Sequence, residues 1–186
     1  MGMPQAQARW TAEMVRALPD DGNRYEVVDG ELLVTPSPNP RHQRAVAAIQ
    51  FALTSYTRAS GIGETLASPA DISAGADRLV QPDLFVFARG RHPIREWTEI
   101  KHLLLAVEVL SPSTARADRQ VKRRLYQEIA DQYWIVDLDA RLVERWQPAD
   151  TRPDIVTATL TWTPATDAAP VFTFDLPAFF DELGPE

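Results

Sequence analysis

Two carboxylates stand inside runs that are otherwise built for burial. Asp83 lies in Val80-Gln81-Pro82-Asp83-Leu84-Phe85-Val86-Phe87, and Glu108 in Leu103-Leu104-Leu105-Ala106-Val107-Glu108-Val109-Leu110. A buried carboxylate is costly unless it is paired, protonated or bound to a metal ion. Two of them point to a metal site. Hard divalent cations such as magnesium prefer carboxylate and carbonyl oxygens, and usually take only one or two carboxylates while keeping several waters. If the two runs are neighbouring strands, both side chains converge at one end of the sheet, and the Val109 carbonyl offers a third oxygen. An ion held there would lower the pKa of a water and stabilise charge on a phosphoryl oxygen, which is chemistry for phosphodiester hydrolysis.

A cation beside the attacking water assists such a reaction, and Lys122 is the candidate. Asp118, Lys122 and Tyr126 recur at i, i+4 and i+8 beside an apolar stripe of Val121, Leu125 and Ile129. That spacing places Lys122 at the edge of the core, with its stem buried and its ammonium free to reach the strand ends. It also allows a plainer reading, because Arg119, Arg123 and Arg124 surround it as a solvated basic face would. Glu108 has a plainer reading too, as one half of a structural ion pair. His42, at a helix start after a proline-rich loop, could touch phosphate or be structural. Ser111 and Ser113 read as turn and cap residues, since no histidine is evidently paired with them. Tyr126 and Trp134 read as core. A metal-free acid and base pair acting on sugars is the weakest alternative, because the five Trp are scattered.

Composition narrows the setting. A chain of 186 residues with 45% hydrophobic residues and no low-complexity tract suits one folded domain over 1–186. Residues 1–8 read as a flexible N-terminus. The absence of Cys removes disulfides and thiolate zinc sites. No apolar run approaches the length of a membrane span and no basic-then-apolar leader opens the chain, so the expected location is cytoplasmic. The net charge of −7 disfavours a protein that coats nucleic acid non-specifically. Between Arg89 and Arg124, however, nine Lys or Arg face four Asp or Glu, net +5, which leaves −12 elsewhere. A local basic face is compatible with that distribution.

The elements that would position these residues follow from pattern. Thr11 caps a short helix through Leu18. Tyr25–Val28 and Glu31–Val34, joined by Asp29-Gly30, form a β-hairpin. Three prolines precede a helix from about Arg41 to Gly61, with Ala45, Ala48, Ile49, Ala52, Leu53 and Tyr56 on its buried face. Strands are expected over Glu64–Ile72, 80–87 and Lys101–Leu110, the last two apolar on both faces as in a sheet covered on both sides. A Thr114-capped helix runs to about Ile129. Strands follow at Tyr133–Asp137, Leu142–Trp146 and Asp154–Trp162, and a helix at Pro177–Leu183. The order describes an α/β (α+β) domain around a mixed sheet.

Several of these stretches resemble one family. They are Arg24-Tyr25-Glu26-Val27-Val28-Asp29-Gly30-Glu31, the Ser-Pro-x-Pro-Arg-His run ending at His42, Gln81-Pro82-Asp83, Val107-Glu108-Val109-Leu110-Ser111-Pro112-Ser113, Lys122 with Tyr126, and Tyr133-Trp134-Ile135-Val136-Asp137. Over roughly residues 9 to 148 the chain looks like the Uma-type family of restriction-endonuclease-like proteins, in the PD-(D/E)XK superfamily. The resemblance implies a four-stranded mixed sheet flanked by helices, here with an N-terminal hairpin and extra C-terminal strands. It implies Mg2+ or Mn2+, cleavage of DNA, and a homodimer. Asp83 and Glu108 match the motif's acids, and Glu26 matches an auxiliary acid or is simply a strand residue facing water. Leu110 departs from the pattern where the superfamily's lysine stands. Either Lys122 replaces that lysine from the helix, or the chain is a catalytically inactive DNA-binding or protein-interaction module.

Overall fold

The computed structural model describes residues 9–90, 92–164 and 169–184, so the expected flexible segment at 1–8 lies outside the described residues. Helix α1, Ala12–Arg16, begins where Thr11 accepts a hydrogen bond from the Met14 amide, as the sequence predicts. The hairpin forms from β1, Arg24–Val28, and β2, Glu31–Thr35. Asp29 and Gly30 both take positive φ at its turn, 52° and 84°, the primed geometry that matches strand twist. Helix α2, Pro40–Ser60, starts one residue earlier than the prolines seemed to allow. Pro40 is its first residue and Asn39 its cap, a position where a missing amide N–H costs nothing.

Two long sequence-predicted strands prove to be pairs. Glu64–Ile72 divides into β3, Gly63–Ala67, and β4, Ile72–Gly75, which lie in different sheets with Pro69 between them. The run 80–87 divides into the end of β5, Arg78–Val80, and β6, Leu84–Ala88. Asp83 therefore sits in the crossing just before β6. Strand β7, Leu105–Val109, is the interior of the expected Lys101–Leu110 strand. A π-helical turn, Ala117–Lys122, leads directly into α3, Arg123–Ile129. Strands β8, Tyr133–Asp137, and β9, Leu142–Trp146, agree with expectation. Asp154–Trp162 again divides, into β10, Asp154–Val156, and β11, Thr159–Trp162. The latter pairs with β12, Phe172–Asp175, before α4, Leu176–Leu183.

The expected mixed sheet is present but larger than the resemblance implied. Its six strands run β10-β9-β8-β7-β6-β3, and only β7 and β8 are parallel. A parallel pair needs a long crossover, and the segment containing α3 supplies it. A second, antiparallel sheet has the order β2-β1-β5-β4. Alternation along the strands sends side chains to opposite faces. Leu84, Val86, Leu105, Val107, Trp134 and Val136 join the cluster that includes α2 and α4, whereas Phe85, Phe87, Ala106, Tyr133 and Ile135 face the second sheet and α3. By the same alternation Glu108 points into the layer between the two sheets. Ala12, Val15, Val27 and Leu79 close the outer face of the second sheet under α1.

Candidate active site

The antiparallel pairing of β6 with β7 sets Leu84 opposite Val107, which brings Asp83 beside Glu108 at one end of the sheet. Facing them from β1 are Arg24 and Glu26, which alternate onto the same inward side as Val28. From the helical segment come Asp118 and Lys122. Glu26, Glu108, Asp118 and Lys122 are all at most 1% exposed. Lys122, expected at the edge of the core, is thus fully inside it.

The Lys122 ammonium is the hub. Its Nζ lies 2.7 Å from Glu26 Oε2, 3.1 Å from Glu108 Oε1 and 3.3 Å from Asp118 Oδ1. Tyr126 donates its hydroxyl to the same Glu108 Oε1 at 2.9 Å, so this core residue belongs to the site as well. The Gln81 amide donates to Glu26 Oε1 at 2.7 Å. Asp83 is held separately. Arg24 Nη1 donates to Oδ1 at 2.8 Å, while His42 Nε2 at 3.1 Å and the Val109 amide at 2.9 Å both meet Oδ2. Val109 thus meets the site through its N–H.

Electrostatics follows from the census of charges. Burial drives a lysine toward neutrality, but Glu108, Glu26 and Asp118 more than reverse this, and Lys122 is held well above its ordinary value. Burial, helped by Asp83, Asp118 and Glu26 and opposed by Lys122, pushes Glu108 well above the usual carboxylate range. Asp118 is raised for the same first reason. Asp83 goes the other way: burial opposes its ionisation, but the His42 hydrogen bond, the Arg24 charge and the Val109 amide hold it well below its ordinary value.

Whether this donor set suits a divalent ion can be judged from the atoms. Four carboxyl groups meet two cationic side chains, Lys122 and Arg24, so two acidic groups have no cation of their own, and the raised pKa of Glu108 reflects its burial and that imbalance. Among the described residues the buried Glu26 Oε2 and Asp118 Oδ1 find no hydrogen-bond partner, although Lys122 is near both. Chemistry and charge fit a hard cation. Position is less complete, because among the described residues no three acidic or histidine side chains are already grouped around one ion position. The cationic side chains occupy the spaces between the carboxylates. A cleft of about 660 Å³ lies in front of the cluster, its walls including Arg24, His42, Asn39, Ser68, Val109 and Thr114, of which Arg24, His42 and the Val109 amide contact Asp83.

The sequence pattern of a family described as "Putative restriction endonuclease", Uma2, matches residues 12–176. The chain belongs to the Uma2 family. Its fold is similar to a solved crystal structure from Anabaena variabilis, described as a putative nuclease belonging to DUF820, with a TM-score of 0.69 and 17% identity over 94% of this chain and 99% of that one. At that identity the likeness speaks for the fold. Among proteins with curated descriptions, none matches. In this Uma2 chain Leu110 packs against the core on the side of the second sheet, and the ammonium that meets Glu108 comes from Lys122. Arg24 and Asp118 are site residues that sequence reasoning passed over. Arg24 lies two residues before Glu26 on one strand, and Asp118 one helical turn before Lys122, so both spacings carried a signal.

Proposed function

We propose that this Uma2 protein is a metal-dependent DNA endonuclease. Its support is the buried cluster of Glu26, Asp83, Glu108 and Asp118, four carboxyl groups against the two cationic side chains Lys122 and Arg24, set behind the cleft that Arg24 and His42 line. Asp83 and Glu108 would hold Mg2+ or Mn2+, with the Val109 carbonyl as a further oxygen. Such an ion supplies a water of lowered pKa and neutralises charge on the phosphoryl oxygen.

The chain's own groups divide the remaining work. Lys122 keeps its proton among three carboxylates, so it serves as a fixed positive charge and hydrogen-bond donor toward the attacking water and the charge that builds on phosphorus, not as a base. Glu26 and Glu108 hold its ammonium in place, and Tyr126 fixes Glu108. His42 and the Val109 amide orient Asp83. Asp83→Ala and Glu108→Ala should each lower Mg2+-dependent cleavage of DNA by about a thousandfold or more, to judge from the several kcal/mol an ion contributes. Undiminished cleavage in both variants would overturn the proposal.

A second reading is favoured by one observation: both oxygens of Asp83 already have donors, and no ion position is preformed among the described residues. On that reading the fold persists as an inactive DNA-binding or protein-interaction module. Calorimetric titration with Mg2+ separates the two, because a relic shows no binding that depends on Asp83.

A further inference from the structure

The two cations of the cluster are held very differently. Lys122 has a side chain 1% exposed and three carboxylates within 3.3 Å. Arg24 has a side chain 21% exposed, lines the cleft, and meets one carboxylate oxygen, Asp83 Oδ1. A guanidinium carries five N–H donors in a planar fork. Among the described residues only Nη1 is engaged, so the rest of the fork faces the cleft. The two oxygens of Asp83 differ in the same way. Oδ2 is fixed by His42 and by a backbone amide, whereas among the described residues Oδ1 has the Arg24 contact alone.

We propose that Arg24 is an exchangeable place-holder: it occupies the Asp83 oxygen where a divalent cation enters, and on displacement turns into the cleft to receive a phosphodiester. This rests on the metal-dependent reading of the site. A divalent ion bound at Asp83 needs one of its two oxygens, and Oδ2 is already held by a buried imidazole and a backbone amide, so the donor on Oδ1 is the one that must loosen. Lys122 is enclosed, and Arg24 stands at the opening. A fork that leaves Asp83 at this edge lies beside the bound ion, with a geometry that suits two oxygens of a phosphate. The same side chain thus protects a buried carboxylate from lying unpaired without the ion, and contributes a phosphate contact with it. Arg24 is a positioning residue toward Asp83 and a binding residue toward substrate.

The test is calorimetric titration of the full-length protein with Mn2+ alone, alongside single-turnover cleavage of DNA. Arg24→Gln keeps a hydrogen-bond donor for Asp83 but removes the competing charge. It should bind Mn2+ about tenfold more tightly than wild type, within the usual range of coupling between two sites. At saturating Mn2+ its cleavage should be about a hundredfold slower, as when one donor to a developing charge is lost. Arg24→Lys keeps the competing charge and should leave Mn2+ affinity near wild type. A purely structural Arg24 predicts unchanged or weaker affinity in Arg24→Gln, and that result overturns the proposal. So does a gain in affinity shared equally by Arg24→Lys. Should Arg24→Gln not fold, the guanidinium resonances of the wild-type protein decide: Mg2+ should shift those of Arg24 from an ion-paired to a free position, and their constancy at saturation overturns the exchange. Failure of the folded wild type to bind any Mn2+ removes the metal-dependent reading itself. Binding and cleavage by wild type without the gain in Arg24→Gln remove only the role of Arg24.

Discussion

Lys122 and its three carboxylates decide one another's charge. A buried lysine alone loses its proton, and three buried carboxylates alone take protons up; together they keep the ammonium and leave the acids competing for what negative charge it can support. Burial and its acidic neighbours push Glu108 well above its ordinary value, which fixes the sign of its effect on stability. Above 4.5, its ordinary value, the unfolded chain has released this proton while the folded chain still holds it. The folded state then binds more protons, so this residue's contribution to stability falls as pH rises, until the folded pKa is passed. Asp83 has the opposite sign, contributing stability above 3.8 that is lost as pH falls through its lower folded value. Glu108→Gln imitates the protonated form. In metal-free buffer, as pH rises above about 5, it should gain on wild type by up to about 1.4 kcal/mol per pH unit until the folded pKa is passed, measured by urea unfolding across a pH series. Parallel pH profiles for the two proteins would contradict the shift. Asp83 and Glu108 were legible in the sequence because each interrupts an apolar run. Glu26 and Arg24 were harder, since a strand of alternating polarity does not say which face meets a second sheet.

Elements that carry site residues should behave differently from elements that only support them. Strand β1 brings Arg24 and Glu26, the β5 to β6 crossing brings Asp83, β7 brings Glu108, and the π-helical turn brings Asp118 and Lys122. Such π-helical turns are uncommon and often lie at functional sites. This one contains both helical members of the charge cluster. Strand β3 carries none, yet it approaches β6 so closely that a Cβ on Gly63 would stand 2.2 Å from the Phe87 carbonyl oxygen. Gly63→Ala must part these strands. It should lower stability by about 1–3 kcal/mol, the usual cost of overpacking, while leaving cleavage per folded molecule near wild type below the melting transition. Lost activity in the folded variant would show that β3 supports the site more directly. The Asp29-Gly30 hairpin and α2 were readable because turn chemistry and helical periodicity are local signals. The divisions at Glu64–Ile72, 80–87 and Asp154–Trp162 were not, because a continuous β-prone run does not record that its halves join different sheets.

At the scale of the whole molecule, the basic stretch from Arg89 to Arg124 does not act as one surface. Lys122 is buried, Arg119 binds Asp137 and Glu144, and the Arg123 guanidinium lies 4.6 Å from the centre of the Trp146 ring. The cleft itself is close to neutral, with Arg16, Arg24 and His42 among walls that also hold Asp20 and Asp71. On the proposed function, affinity for DNA would come from the site and the ion it is proposed to hold more than from a broad basic face. The sequence supplied the mixed sheet and its flanking helices; the second sheet arises from tertiary pairing of β1 with β5, through the single register pair Val27 and Leu79. Among the described helices none is long and apolar enough to cross a membrane. The most direct measurement of the central claim is a crystal structure from Mn2+-soaked crystals, with anomalous scattering to locate the ion. One peak is expected about 2.0–2.2 Å from an oxygen of Asp83 and from an oxygen of Glu108, with Lys122 still paired to Glu26. Saturating Mn2+ with no peak there, and Asp83 unchanged, would contradict that claim.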